Sequence, residues 1–300
     1  GILGGGQLGR MLAVAAAQEA NVLEAVRDAY DKGIVQPILV GEPEAIKAAA
    51  REARGGAGVD IAGFEVVPAA DLAGAAATAV QLVKTGRADI LMKGILDTSV
   101  LLKAVLNKEK GINAGCLASH VAVMEVPTYH KLLVVTDAAI NIAPDLPGFV
   151  DIIGSAVRVS QSLGVEKPKV AFLAAVEKVN PDKMPCTVTA SILTQMNRRG
   201  QIRGCIVDGP LALDNAVSRE SARIKHIDSE VAGDADILVA PDIQAGNILY
   251  KCLLDMAQAK GAAIVMGAEK PVVLTSRADS AETKLASIAL ASLVGRQACN

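Results

Sequence analysis

Five short apolar runs in this chain end in polar or glycine-containing turns: Met92-Lys93-Gly94, Val135-Thr136-Asp137, Val207-Asp208-Gly209-Pro210, Ala240-Pro241-Asp242 and Leu274-Thr275-Ser276-Arg277. Ligands of open α/β sheets bind beyond the carboxyl ends of the strands. Lys93, Asp137, Asp208, Asp242, Ser276 and Arg277 are therefore candidates for one polar rim. Each turn alone reads more readily as a helix cap or a solvated bend; five together favour a shared binding edge. The last turn says most. Ser276 and Arg277 are followed by Asp279-x-x-Glu282, a capping-box-like helix start, and Leu285, Ile288, Ala289 and Leu293 give that helix an apolar face. A hydroxyl and a guanidinium beside a helix N-terminus suit a phosphate or a developing oxyanion. An arginine there could otherwise serve a surface ion pair.

Positioning such turns requires buried strands that alternate with helices. The predicted strands are 36–40, 88–92, 121–126, 132–136, 169–173, 205–207, 237–240, 262–266 and 272–274, most of them four to six residues long and apolar throughout, as in parallel or mixed sheets. Helical patterns separate many of them, including one from Leu96 to Lys108 with Leu101, Leu102 and Val105 on its apolar face. With 51% hydrophobic, 21% charged and 2% aromatic residues and no Trp, the core must be aliphatic. That balance predicts a folded α/β protein. The 300 residues allow two domains, and the Pro/Gly-rich 143–148 stretch and the neighbourhood of Gly261 are candidate crossings.

A formal net charge of −2, without a Lys/Arg block, argues against nucleic acid as a partner. No apolar run reaches the ~20 residues of a bilayer span, and the N-terminus lacks the basic region of a signal peptide. The expectation is a cytoplasmic protein, away from membranes, whose missing initiator Met reflects a trimmed start. Five scattered cysteines without a C-x-x-C pair predict reduced thiols, no metal site and no disulfide framework. Gly4-Gly5-Gly6-Gln7-Leu8-Gly9 satisfies G-x-G-x-x-G ahead of a plausible helix. Only Ile2 and Leu3 remain for a preceding strand, however, and Glu42 is the nearest acidic candidate for a ribose contact. The run 1–11 also resembles the opening of ATP-grasp carboxylases of purine synthesis, a likeness that nothing later continues. His120, His130 and His226 are far apart and read as structural or exposed. Cys205 reads as core.

From about Asp89 to Ala291 the chain closely resembles the phosphate acetyl/butyryltransferase family, nearest its butyryltransferase branch. The residues that carry the likeness are Met92-Lys-Gly-Ile-Leu-Asp-Thr98, Val135-Thr-Asp-Ala-Ala-Ile-Asn141, Asp208-Gly-Pro-Leu-Ala-Leu-Asp214, Val231-Ala-Gly-Asp-Ala-Asp-Ile-Leu238, Pro241-Asp-Ile-Gln-Ala-Gly-Asn247, and Pro271 through Lys284. The resemblance implies two α/β domains with a cleft between them, of isocitrate/isopropylmalate dehydrogenase-like architecture. In that arrangement residues 1–142 plus 266–300 form the first domain, and 143–265 are inserted as the second. It also implies a homo-oligomer, at least a dimer. Ser276 and Arg277 match the pair that contacts coenzyme A and stabilises the reacting centre in the acetyltransferase branch. That branch has an Asp, credited with taking the thiol proton, where this chain has Thr283, so Glu282 beside it becomes the candidate base and Thr283 a substrate-binding residue. Lys93, Lys103, Asp137, Asp208, Asp242 and Asn247 complete the substrate-binding set.

The implied reaction is reversible: acyl-CoA plus phosphate gives acyl phosphate plus CoA, most simply by direct attack in a ternary complex, with a butyryl or other short acyl group. Coenzyme A is a substrate, and no cofactor is called for. Three alternatives stay open: a phosphate acetyltransferase, an NAD(P)-dependent decarboxylating dehydrogenase of the same architecture, and a non-catalytic protein that binds acyl-CoA or acyl phosphate. The dehydrogenase would need acidic metal ligands, for which Asp208, Asp234, Asp236 and Asp242 are the available residues.

Overall fold

Val, Ile, Leu and Ala fill the strands of a computed structural model that describes residues 9–295. The chain is α/β and divides into two units, Gly1–Cys116 with Ala262–Asn300, and Leu117–Gly261. The crossings expected after 142 and 265 thus fall at 116 and 261. The first moves because β5 (Ser119–Glu125) and β6 (Leu133–Thr136) pair antiparallel, and β6 then pairs in parallel with β9 (Ile237–Val239). Both strands therefore belong with the later segment. The Pro/Gly-rich 143–148 stretch is instead the entry to helix α5 (Leu146–Ser162), which Asp145 caps by accepting the Gly148 N–H at 2.9 Å.

In the first unit the strand order is β3-β2-β1-β4-β11-β10. β1 (Arg10–Ala15), β2 (Val35–Gly41), β3 (Glu65–Pro68), β4 (Ile90–Lys93) and β11 (Val272–Val273) run parallel, and β10 (Lys260–Met266) is antiparallel to β11. β1 was not expected. Its Ala-rich sequence favours a helix by propensity, but Leu12 to Ala17 are wholly buried. Burial in the middle of a sheet outweighs an alanine preference worth under ~1 kcal/mol per residue. The strand also removes the phosphate-turn reading of the glycine-rich start, because Gly9 leads into a strand and not into a helix N-terminus. Gly4 to Leu8 lie outside the described residues.

This order creates a topological switch. β2 and β3 lie to one side of β1, while β4 and β11 lie to the other, so the switch point falls at the carboxyl ends of β1 and β4, where sheets of this kind bind ligands. The loops leaving β1 and β4 touch. Gly94 N–H donates to the Ala15 carbonyl at 2.8 Å and Ile95 N–H to the Ala16 carbonyl at 2.9 Å. A Cβ on Gly94 would sit 1.9 Å from the Ala16 oxygen, so only glycine permits this approach. Helices α1 (Ala20–Asp31), α2 (Pro43–Glu52), α3 (Leu72–Lys84) and α10 (Ala281–Val294) complete the unit, with α1 against α10. The helix expected over 96–108 is the shorter α4 (Thr98–Val105). It stops early because Asn107 Oδ1 takes the N–H groups of Glu109 and Lys110 at 3.0 and 2.8 Å, closing a turn.

In the second unit the order is β5-β6-β9-β7-β8, with β7 (Lys169–Leu173) and β8 (Ile206–Leu211) parallel to their neighbours. Helix α6 (Cys186–Arg198) packs on β8 and α5 lies along β5 and β6; α7 (Leu213–Val217), α8 (Arg219–Ile224) and α9 (Ile243–Asp255) complete the unit. Two of the few aromatics, Phe149 and Phe172, meet edge to face at 4.9 Å. Cys186, Cys205 and Cys252 are free, whereas Cys116 is disulfide-bonded, contrary to the expectation of reduced thiols throughout. Such a pairing depends on which Cα atoms the fold brings close, and sequence spacing does not report that. Among the described residues, no helix is long and apolar enough to cross a membrane.

Candidate active site

Charged groups gather at the carboxyl ends of β1 and β4. Lys93 ends β4 and is only 5% exposed; its Nζ donates to the carbonyls of Leu96 at 3.2 Å and Gly94 at 3.3 Å. Burial pushes its ammonium below the ordinary lysine range. Arg277 and Lys284 push it further down, and Glu19 and Asp279 oppose them. These five charged groups thus share one electrostatic neighbourhood within the first unit.

β11 pairs with β4 through Val272–Leu91 and Val273–Met92, which carries Leu274 to Arg277 to the same edge as Lys93. The turn is organised by its own polar groups. Asp279 accepts the Ser276 N–H at 2.7 Å, and Ser276 Oγ accepts the Ala278 N–H at 3.3 Å. The Ser276 hydroxyl proton stays available for donation. Thr275 is buried, and its Oγ1 has no hydrogen-bond partner among the described residues. Arg277 is exposed and reaches Asp97 Oδ1 at 2.8 Å. Asp97 occupies the N-cap position of α4 but makes no side-chain cap bond.

Helix α10 starts one residue later than the expected capping box. Ser280 is the N-cap, and its Oγ accepts the Thr283 N–H at 3.2 Å and lies 3.2 Å from Thr283 Oγ1. Asp279 belongs to the preceding turn. Glu282 is exposed in the first turn of α10, where the helix dipole favours a carboxylate. The buried face also differs from the one expected: Lys284, Ser287, Ile288, Leu290 and Ala291 are inside, and Leu293 is exposed. Lys284 is 1% exposed, and its Nζ donates to the Asp279 carbonyl at 2.6 Å and the Ser276 carbonyl at 3.2 Å, 3.6 Å from the Glu19 carboxylate.

The structure therefore gathers Lys93, Ser276, Arg277 and the start of α10 at the switch point of the first unit, and adds Glu19, Asp97 and Lys284, which sequence reasoning missed. Lys284 had a legible signal, since it shares a helical stripe with Ile288 and Ala291 and a lysine on such a stripe is anomalous. Glu19 had none. Lys103 is an exposed residue on α4.

The remaining expected site residues lie in the second unit, where local bonds engage them. Asp137 is buried and accepts the N–H groups of His120, Ala139, Ile140 and Asn141 together with the Asn141 side-chain amide. Asp208 accepts the Gly209 N–H, and Asp242 caps α9 through the Ala245 N–H at 2.9 Å. Asn247 donates to the Ala138 carbonyl at 2.9 Å. Asp234 and Asp236 pair with lysines: Lys169 with Asp234 at 2.7 Å and Lys131 with Asp236 at 2.6 Å. Burial pushes the Cys205 thiol up to about 11, which fits its reading as core. Chemically, a buried ammonium, an exposed guanidinium and a free hydroxyl can hold a phosphate and donate to a carbonyl oxygen as charge develops on it.

Residues 63–292 match the family model described as phosphate acetyl/butaryl transferase. The phosphate butyryltransferase of Clostridium acetobutylicum is 49% identical over 285 residues, 95% of this chain and 93% of that one. The phosphate acetyltransferase of Thermotoga maritima is 46% identical over 289 residues, 95% of each chain. A crystal structure of a branched-chain phosphotransacylase from Enterococcus faecalis superposes with a TM-score of 0.82 at 36% identity, covering 96% of this chain and all of that one. A 4-hydroxythreonine-4-phosphate dehydrogenase from Klebsiella pneumoniae, 14% identical with a TM-score of 0.56 over 95% of this chain and 99% of its own, shares the fold alone.

Proposed function

The chain belongs to the phosphate acetyl/butaryl transferase family, and from that premise we propose that it is a phosphate acyltransferase that passes a butyryl or other short acyl group between coenzyme A and inorganic phosphate. The observation that carries this reading is the Ser276–Arg277 turn set beside the buried ammonium of Lys93 at the switch point of the first unit. A phosphate oxygen attacks the thioester carbonyl carbon, the carbonyl π electrons move onto oxygen, and collapse of the tetrahedral centre breaks the C–S bond. Phosphate dianion is itself the nucleophile, so the protein's work is alignment and charge stabilisation. Arg277 and Lys93 hold phosphate and oxyanion oxygens, and Ser276 donates to the same centre.

In the reverse direction the CoA thiol must lose its proton before sulfur attacks the acyl carbon and the C–O bond to phosphate breaks. Glu282 is the carboxylate assigned to that proton, and nearby cations favour the thiolate. Thr283, as the partner of the helix cap, contributes through the shape of the turn. Lys103, exposed on α4, is assigned to the phosphate. The working form is proposed to be cytoplasmic and at least a dimer; on α9, Ile248 is 69% exposed and the adjoining Met256 81%, apolar surface that a second copy would cover.

The test is thiol release from butyryl-CoA and acetyl-CoA, with and without phosphate. Phosphate-dependent release supports the transferase, and the ratio of the two rates assigns the acyl group. Folded protein that releases no thiol with either substrate refutes the reading and leaves a binding protein.

A further inference from the structure

A lysine that is 1% exposed in a helix face is costly unless every proton has an acceptor. Lys284 Nζ donates to two, the carbonyls of Ser276 and Asp279, and the Glu19 carboxylate 3.6 Å away is its counter-ion. Packing does not call for a charge here. Ile288 and Ala291 on the same stripe are apolar and fully buried, and a methionine would fill the position without a desolvation cost. The two carbonyls that Lys284 holds are the first and fourth residues of the turn bearing Arg277, so one ammonium clamps both ends. Its counter-charge comes from the loop after β1. Glu19 stands at the N-cap of α1 yet makes no side-chain cap bond, and 15% of its side chain is exposed; its carboxylate serves Lys284 and the field at Lys93.

We propose that Lys284, braced by Glu19, is a positioning residue that fixes the Ser276–Asp279 turn and through it the aim of Arg277. The proposal rests on the acyltransferase reading for its kinetic consequences, while the clamp itself is a property of the fold. It ties the first βα loop to the turn after β11, two segments more than 250 residues apart.

The test is a double-mutant cycle with Lys284→Met and Arg277→Ala, read as turnover, with amide hydrogen exchange at 276–279 measured in parallel. Lys284→Met is expected to lower kcat roughly 10- to 100-fold, the scale of a misplaced catalytic group, and to speed exchange of the Ser276 amide. In the Arg277→Ala background the same change should cost less than about twofold more, because residues acting as a unit are not additive. Lys284→Arg, which restores the charge, should recover part of the turnover. An equal fold-loss in both backgrounds means a merely structural lysine and overturns the proposal, as does a Lys284→Met enzyme with unchanged kcat. Should that variant not fold, Glu19→Gln tests the same brace without removing a side-chain cap bond. It is expected to lower kcat several-fold, on the order of a lost charge-assisted contact, and to speed exchange of the Ser276 amide; full turnover with unchanged exchange overturns the idea. If the unmutated protein releases no thiol, the functional reading has failed, and exchange at 276–279 alone decides the clamp.

Discussion

Arg277 and Lys93 are both cations, but their surroundings give them different work. Arg277 is exposed and paired with Asp97 across 2.8 Å; exposed pairs are worth ~0–1 kcal/mol, so the guanidinium can leave Asp97 for a phosphate at little cost. Lys93 is buried on two carbonyls, with its ammonium disfavoured by burial, so an arriving anion gains from an under-solvated charge. Arg277→Ala is expected to reduce phosphate-dependent thiol release roughly 100-fold, by analogy with an oxyanion-hole donor, while the unfolding midpoint stays near that of the unmutated protein. Near-full activity in that variant would remove Arg277 from the reacting centre. Ser276, whose backbone N–H is committed to Asp279, contributes through its hydroxyl.

At the scale of elements, helix α10 is both wall and fastening of the site. Its N-cap Ser280 holds Thr283, its buried face carries Lys284 and Ser287, and Ser287 Oγ accepts the Ala263 N–H of β10 at 2.9 Å. The helix is thereby bonded to the sheet as well as packed on it. Ser280→Ala should cost about 1 kcal/mol, the usual value of a lost N-cap, measured by denaturant unfolding. Because the cap lies next to the Ser276–Asp279 turn, kcat should fall with it; unchanged kcat alongside the lost stability would show that the turn is held independently of the cap.

At the scale of the whole molecule, the second unit has its own electrostatic knot. Asp234 accepts His130 Nε2 at 2.9 Å and Lys169 Nζ at 2.7 Å, with Lys131 at 3.2 Å and Arg219 at 3.5 Å. It joins the β5–β6 connection, the start of β7 and helix α8. Burial would raise its carboxyl, but hydrogen bonds from Lys169, His130 and Lys131 outweigh burial and hold it well below the ordinary carboxylate range. A carboxyl lowered by folding binds fewer protons folded than unfolded. Its contribution is therefore complete above the unfolded value near ~4 and is lost as pH falls through the folded one. Asp234→Asn should cost about 1–3 kcal/mol at neutral pH and flatten the acid dependence of the unfolding midpoint below about pH 4. An unchanged acid limb would place that dependence on other carboxylates.

Much of this was legible along the chain. Short aliphatic runs divided by helical periods specify α/β, because burial on both faces of a sheet demands continuous apolar sequence, and Lys93, Ser276 and Arg277 stand out as polar groups at strand ends. The local patterns also misled in places. Ala-rich β1 looked helical, since alanine's preference is a local quantity and its burial is not. The capping box lay one residue off, because Asp279 and Ser280 are both good caps and only the turn's hydrogen bonds choose between them. The crossing at 116 followed from β5 and β6 pairing into the later sheet. What the sequence determined by itself is the class of fold, the family and the chemical types at the reacting turn, all of which depend on residues near one another in the chain. What only the tertiary structure decided is which distant charges meet there. Glu19 reaches Lys284 and Asp97 reaches Arg277 because parallel strands deliver their carboxyl ends to one edge, and strand order, not sequence spacing, sets those encounters.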